Sequence, residues 1–229
     1  MKKILLVASV ILMGAVAKAQ ETRFGAKAGF SMSNLKTEFS NEDMEGVEVN
    51  SKGKATFYVA GLVEHKFNDK FAVQAELGYS PLGGKYNLLD KEDEDGMTIS
   101  NKVTLGTIYA PLMAKYYFTE FMNVHVGASL QYIISAKNKT GENFGDDSFG
   151  FGDYIEDLVG EEQDIKKYVN PFSVNPFLGL EYNLENGMFF DARYYLGVMD
   201  ISKKVNGEGY DSLKNSFLQV GVGFKFGGN

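Results

Sequence analysis

The chain has 229 residues, 23 basic and 30 acidic, giving a formal net charge of −7, and it has no cysteine. The acidic balance argues against nucleic acid or anionic lipid headgroups as partners. Without Cys, disulfides and thiolate metal sites are excluded, so stability must come from packing and backbone pairing.

The N-terminus reads as an export signal. Lys2 and Lys3 precede the apolar run "ILLVASVILMGAVA", and Ala17-Lys18-Ala19 supplies small residues before a cleavage point. The run is fourteen residues long, short of the ~20 that a spanning helix needs. Cleavage after Ala19 leaves residues 20–229 as one domain, with no Cys to carry a lipid. It removes three lysines and no acid, taking the net charge from −7 to −10.

Beyond the signal the pattern has period two. Phe24, Ala26, Ala28, Phe30 and Met32 alternate with Arg23, Gly25, Lys27, Gly29 and Ser31. Phe71, Val73, Ala75, Leu77 and Tyr79 alternate with Gln74, Glu76 and Ser80. Val124 to Tyr132 and Leu218 to Phe226 repeat the scheme. Such alternation predicts strands with one apolar and one polar face. Eight segments qualify: 23–33, 55–67, 71–82, 104–118, 122–136, 172–184, 188–200 and 215–227. With 26 Gly, 31 Tyr plus Phe and only four Pro, the profile is all-β.

The connections alternate in length. "NDK" (68–70), "TEF" (119–121) and "ENG" (185–187) are short, whereas 34–54, 83–103, 137–171 and 201–214 are long and polar. Three-residue turns put Phe67 opposite Phe71, Phe118 opposite Met122 and Leu184 opposite Met188. That register sets apolar residues against apolar ones, such as Val63 with Ala75, and a one-residue slip would scramble the faces. Gly187 falls where such a turn needs a left-handed residue; at Lys70 and Phe121 the turn type stays open.

These features predict an eight-stranded antiparallel up-and-down transmembrane barrel with short periplasmic turns and long extracellular loops. A spanning sheet must close on itself because hydrocarbon satisfies no backbone hydrogen bond. A soluble lipocalin-like barrel shares the period. Two features favour the membrane form: polar faces rich in Gly, Ser and Gln with sparse charge, and apolar faces ending in rings at Phe24, Phe67, Phe71, Tyr116, Phe118, Tyr132, Phe224 and Phe226.

The segments "ATFYVAGLVEHKFNDKFAVQAELGYSPLGGKY", "IYAPLMAKYYFTEFMNVHVGASLQYII" and "NGMFFDARYYLGVMDI…NSFLQVGVGFKF" resemble the outer membrane protein β-barrel domain family. It is common in Bacteroidetes and is often labelled porin family or PorT-like. The most specific pieces are Pro111 in "YAPLMAKYYF" and the "DARY-x-LG" run of strand seven. The resemblance implies an eight-stranded barrel embedded in the outer membrane. Most members have no assigned activity, and one branch serves a protein secretion and gliding apparatus. A departure is the tail, where "GGN" follows Phe226.

With the faces assigned, Lys27, Glu64, Lys66, Gln74, Glu76, Lys115, His125, Gln131, Glu181, Asp191, Arg193, Gln219 and Lys225 fall in the lumen. Glu64, Glu76, Lys115, Glu181, Asp191, Arg193 and Lys225 are expected to form an ion network. The hairpin puts Glu181 opposite Asp191, with Arg193 two residues on and Lys225 or Gln219 arriving from strand eight. An eight-stranded barrel is narrow enough to be filled by side chains, so this network reads as a plug. A proton path, an ion path or a gate is the competing reading.

Paired acids at Glu181 and Asp191 suggest hydrolysis only superficially, since an adjacent Arg would hold both ionised. His65 is expected at the lipid interface and His125 in the lumen, neither catalytic. No enzyme activity and no cofactor are expected. In "DKEDEDG" (90–96), counting back from Gly96 gives Asp95, Asp93 and then Lys91, with Lys102 at position twelve, so the calcium-loop pattern fails. Within 137–171, Tyr154, Leu158, Ile165 and Tyr168 are loosely spaced at helical intervals and form a candidate partner-binding lid over the barrel mouth. The expectation is a monomeric, non-enzymatic protein embedded in outer-membrane lipid, with a structural or partner-binding role. A small-solute channel and a secretion-apparatus component are the alternatives.

Overall fold

The computed structural model describes residues 22–38, 47–90, 98–141, 162–205 and 212–227. The expected signal segment (1–19), most of the acidic 90–96 stretch, and Tyr154 and Leu158 lie outside these residues.

Ten strands form one antiparallel sheet: β1 (Thr22–Glu38), β2 (Val47–Lys52), β3 (Lys54–Lys66), β4 (Phe71–Asp90), β5 (Thr98–Tyr117), β6 (Met122–Gly141), β7 (Glu162–Asp164), β8 (Phe172–Asn183), β9 (Met188–Tyr195) and β10 (Ser212–Phe226). Eight of them are staves, in the ring order β1-β3-β4-β5-β6-β8-β9-β10, and the β1–β10 ladder from Phe24↔Phe226 to Glu38↔Ser212 completes the circle. Closure leaves the staves with no unpaired edge. β2 adds to β4, and β7 adds to β6.

All three short hairpins keep the expected register, with Val63↔Ala75, Leu112↔Ala128 and Glu181↔Asp191. Gly187 has φ 89°, the left-handed residue the third turn requires. The other two turns use side chains. Asn68 Oδ1 accepts from the amides of Lys70 and Phe71, and Thr119 Oγ1 accepts from those of Phe121 and Met122. Caps of this kind replace the glycine.

Outward positions are apolar and exposed, among them Phe24, Phe30, Leu77, Leu112, Val126, Leu178, Phe190 and Val220. The eight rings expected to end the apolar faces are all exposed on this surface. A wall of this composition is stable only against hydrocarbon.

Several elements differ from the sequence expectation. β4 runs to Asp90, β5 starts at Thr98 and β6 runs to Gly141, so parts of the expected loops are strand. Polar residues there interrupt the apolar alternation, so period two alone does not mark these stretches as strand. β9 stops at Tyr195 instead of 200. The chain there closes on β10: a side chain at Gly197 would put its first carbon 2.5 Å from the Asn215 carbonyl oxygen. In β6 the pairing shifts from Thr107↔Ile133 to Gly106↔Ser135, which makes Ile134 an extra residue and turns both Ile133 and Ala136 inward.

Candidate functional site

The lumen is built in layers. Nearest the short turns, Glu64 of β3, Lys115 of β5, Glu181 of β8 and Lys225 of β10 form a closed square of charges. Lys115 Nζ donates to Glu64 Oε2 and Glu181 Oε2, each at 2.7 Å. Lys225 Nζ donates to the same two acids at 2.9 and 2.6 Å, and to Asn183 Oδ1 at 3.0 Å. Tyr117 Oη and Asn123 Nδ2 supply further donors at 3.1 and 3.0 Å.

A second square lies one layer up. Arg193 Nη2 reaches Glu76 Oε1 at 2.8 Å, and its Nε lies 2.9 Å from Asp191 Oδ1. Lys27 Nζ lies 3.0 Å from Glu76 Oε2 and 3.1 Å from Asp191 Oδ1. Gln74 Nε2 donates to Glu76 Oε1, and His125 Nε2 stands 3.5 Å from Asp191 Oδ2. Each square pairs two cations with two carboxylates and is neutral, and all eight staves contribute a charge or a neighbouring donor. Buried charge is tolerated only when paired and hydrogen-bonded in this way.

Above the squares the filling turns aromatic. Tyr195 stacks on Phe217 with centroids 4.3 Å apart, Phe177 packs against Tyr195 at 4.7 Å, and the Arg193 guanidinium lies 5.6 Å from the Phe177 ring. Leu82 and Met113 complete this layer, with Tyr58 and Tyr109 beside it. At the long-loop end Leu35, Val103, Leu105, Ile133, Ala136, Ile165, Val169, Ile201 and Leu213 form an apolar cap. The wall pinches there as well: a side chain at Gly84 would put its first carbon 2.9 Å from the Leu35 backbone nitrogen.

All seven residues expected in the ion network are buried, and the structure gathers them into the two squares. Lys27, assigned to the lumen by parity but not to the network, completes the second square. Of the two candidates from strand eight, Lys225 bridges the acids, while Gln219 sits opposite Arg193 and donates to Ser31. Lys66 is half-buried, its ammonium 4.2 Å from the Tyr117 ring. Tyr117, Asn123 and Asn183 were missed, although Tyr117 shares the odd-numbered inward face of Lys115. His65 lies at the short-turn end, bonded to Thr22 and edge-on to Phe67.

The lid expectation needs one correction. Residues 162–164 are strand and 166–168 a short 3-10 turn, and Ile165 is buried in the apolar cap, with Tyr168 packed against it. Ile165 therefore offers no surface to a partner. It is apolar at the centre of a collapsed mouth, where burial is worth more than exposure.

The family model described as the outer membrane protein beta-barrel domain matches residues 18–203. The chain belongs to that family. Membership places this barrel in the outer membrane, with the exposed apolar wall described above facing lipid. No curated protein matches the chain. Solved outer-membrane proteins similar to this family member include three of low identity. Yersinia pestis Ail is 16% identical with a TM-score of 0.43, covering 90% of this chain and 99% of Ail. Neisserial surface protein A is 13% identical with a TM-score of 0.46, covering 89% and 97%. Escherichia coli outer membrane protein W is 17% identical with a TM-score of 0.40, covering 90% and 99%.

Proposed function

We propose that this protein is a non-enzymatic, monomeric outer-membrane barrel whose lumen is plugged, serving a structural or partner-binding role through its extracellular loops. One observation carries the reading: among the described residues, inward side chains are buried in successive layers, as two ion squares, an aromatic layer and an apolar cap. An eight-stranded barrel has room for side chains and little else. No group in the squares resembles catalytic machinery, because every carboxylate is held between two cations instead of facing a cleft.

Planar-bilayer recording of the pure protein tests it. A plugged barrel gives no stable unit conductance, and reproducible unit steps would instead establish the channel reading. A heat-dependent gel mobility shift on the same preparation shows that the barrel is folded. The resemblance carried by Pro111 and the "DARY" run does not place the chain inside the secretion-apparatus branch, and a small-solute channel and a secretion-apparatus component are the second readings. Co-purification of stoichiometric partners from gently solubilised outer membranes separates the two.

A further inference from the structure

Five polar atoms beside the second square meet no hydrogen-bond partner among the described residues: the phenol oxygens of Tyr58, Tyr109 and Tyr195, Gln219 Oε1 and Arg193 Nη1. Each of these residues is 1% exposed or less. Tyr109 lies against Gln219 and Tyr195 against Arg193, but neither contact closes as a hydrogen bond. An unanswered buried hydroxyl keeps its full desolvation cost, and folded proteins leave few such groups.

The fold brings the five atoms to one level. Gln219 stands directly opposite Arg193 on the β9–β10 ladder, and Gly221 opposite Asp191. Tyr58 lays its hydroxyl over Gly221, where an added side chain would put its first carbon 2.2 Å from Oη. Lys27 Nζ lies 5.5 Å from the same ring. Tyr109 Oη overlies Gly78 in the same manner, at 2.8 Å, two residues past Glu76 on β4. Tyr195 is two residues past Arg193 on β9. Glycine at 78 and 221 lets the two rings lie flat on the wall, with their hydroxyls beside the charges of the square.

We infer that these atoms form a buried water site, closed below by the second square and above by the apolar cap. The mixture of groups selects the ligand. A phenol donates and accepts, the Gln219 carbonyl oxygen only accepts, and the guanidinium only donates. A bare cation would leave the guanidinium N–H unanswered, an anion would leave the carbonyl unanswered, and the adjoining square is already neutral. Water answers both. A buried water makes about three hydrogen bonds, so five atoms suit roughly two waters. Gln219 ties the site to β1, its Nε2 donating to Ser31 Oγ at 3.0 Å. The site goes beyond the plugged reading: the plug holds solvent at one level without offering a path through the barrel.

The test uses the full chain, carbon-13 labelled and refolded into phosphatidylcholine bilayers, read by water-edited solid-state NMR. Magnetisation should pass from water to the ring Cζ of Tyr58, Tyr109 and Tyr195. The transfer should be slower than to Asn186, exposed in the third turn, and well above that to Leu35 and Leu105 in the cap. A second arm uses Tyr58→Phe and Tyr109→Phe, which keep the rings, with the heat-dependent gel shift checking folding. Each should lower the folding equilibrium constant in urea titration about fivefold or more. The double variant should cost less than the sum, because the two phenols share bound water. Tyrosine signals that receive no water magnetisation overturn the site and leave the plugged reading standing. A Phe variant as stable as wild type, or more stable, also overturns it, since removing a dry hydroxyl has that effect. Additive costs would assign each phenol to its own protein partner and end the shared site. Transfer as fast as at Asn186 would mean a lumen open to bulk water, and would overturn the closed site and the plugged reading together.

Discussion

Glu181 and Asp191 face each other directly across the β8–β9 ladder, yet their carboxylates share no cation. Glu181 turns toward the short-turn end, between Lys115 and Lys225, while Asp191 turns the other way, between Lys27 and Arg193. Like charges directly opposed cost stability, and the divergence of these two splits one crowded site into two neutral ones. A hydrolytic pair would need the acids converging on a common substrate, so the same geometry argues against catalysis.

Arg193 is the most consequential single residue in this arrangement. Arg193→Ala leaves Glu76 and Asp191 sharing only Lys27, in a buried setting. Loss of one partner from a buried ion cluster typically costs about 3–5 kcal/mol. Urea unfolding in vesicles should show a loss of that size, with a lower temperature for the gel-mobility transition. Arg193→Lys should fall between, since an ammonium cannot span both acids as the planar guanidinium does. Wild-type stability in the Ala variant would mean that the square contributes nothing.

The lower square predicts strong non-additivity. Lys115→Met alone strands Glu64 and Glu181 with one cation and should cost several kcal/mol, about 3 or more. The quadruple Glu64→Gln/Lys115→Met/Glu181→Gln/Lys225→Met removes the charges together and should lie within about 2 kcal/mol of wild type, because replacing an entire buried ion cluster is often neutral. Both are read by the same urea titration. A quadruple cost equal to the sum of the single costs contradicts the coupled square.

Legibility in the sequence followed the physics of each layer. Where one strand face meets hydrocarbon, alternation is strict, and eight staves, three registers and all eight charged residues of the two squares could be assigned to the lumen from parity, whereas Lys54, buried on the inward face of β3, was not. Lys27 shows the limit of this. Its face was readable, but its partners Glu76 and Asp191 come from β4 and β9, and only barrel closure brings them together. The apolar cap was hidden for another reason. Val103, Leu105 and Leu213 sit beyond the membrane on polar-looking stretches, and the bulge at Ile134 breaks the alternation in β6. Ile165 reads as a helical surface residue until the collapse of the mouth buries it.

The turns give a test of backbone geometry alone. Gly187 has φ 89°, and an added side chain there would lie 2.7 Å from the Lys225 carbonyl oxygen. Gly187→Ala should destabilise by about 1 kcal/mol or more, seen as a shift in the urea midpoint. Asn68→Ala, which removes a side-chain acceptor from the first turn, should cost a similar amount or less. A neutral Gly187→Ala would refute the left-handed turn.

Asp200 ties the cap to pH. Partial burial by itself would raise its carboxyl, but the amides of Leu213 and Ser202 donate to Oδ1 at 2.9 and 2.8 Å, and the net effect holds it below the ordinary aspartate value. Ile201, the next residue, is buried in the cap and donates its amide to the Leu213 carbonyl. Because the folded value is depressed, the stabilisation is complete above the unfolded value of about 3.9 and is lost as pH falls through the folded one. The Leu213 and Ser202 amide resonances in detergent micelles should therefore titrate together with a midpoint below about 3.9, and Ile201 should loosen over the same range. Asp200→Asn should abolish the titration while keeping a neutral acceptor. A midpoint at or above the unfolded value would show that the two amides do not hold the carboxylate, and would remove the link between this turn and the cap.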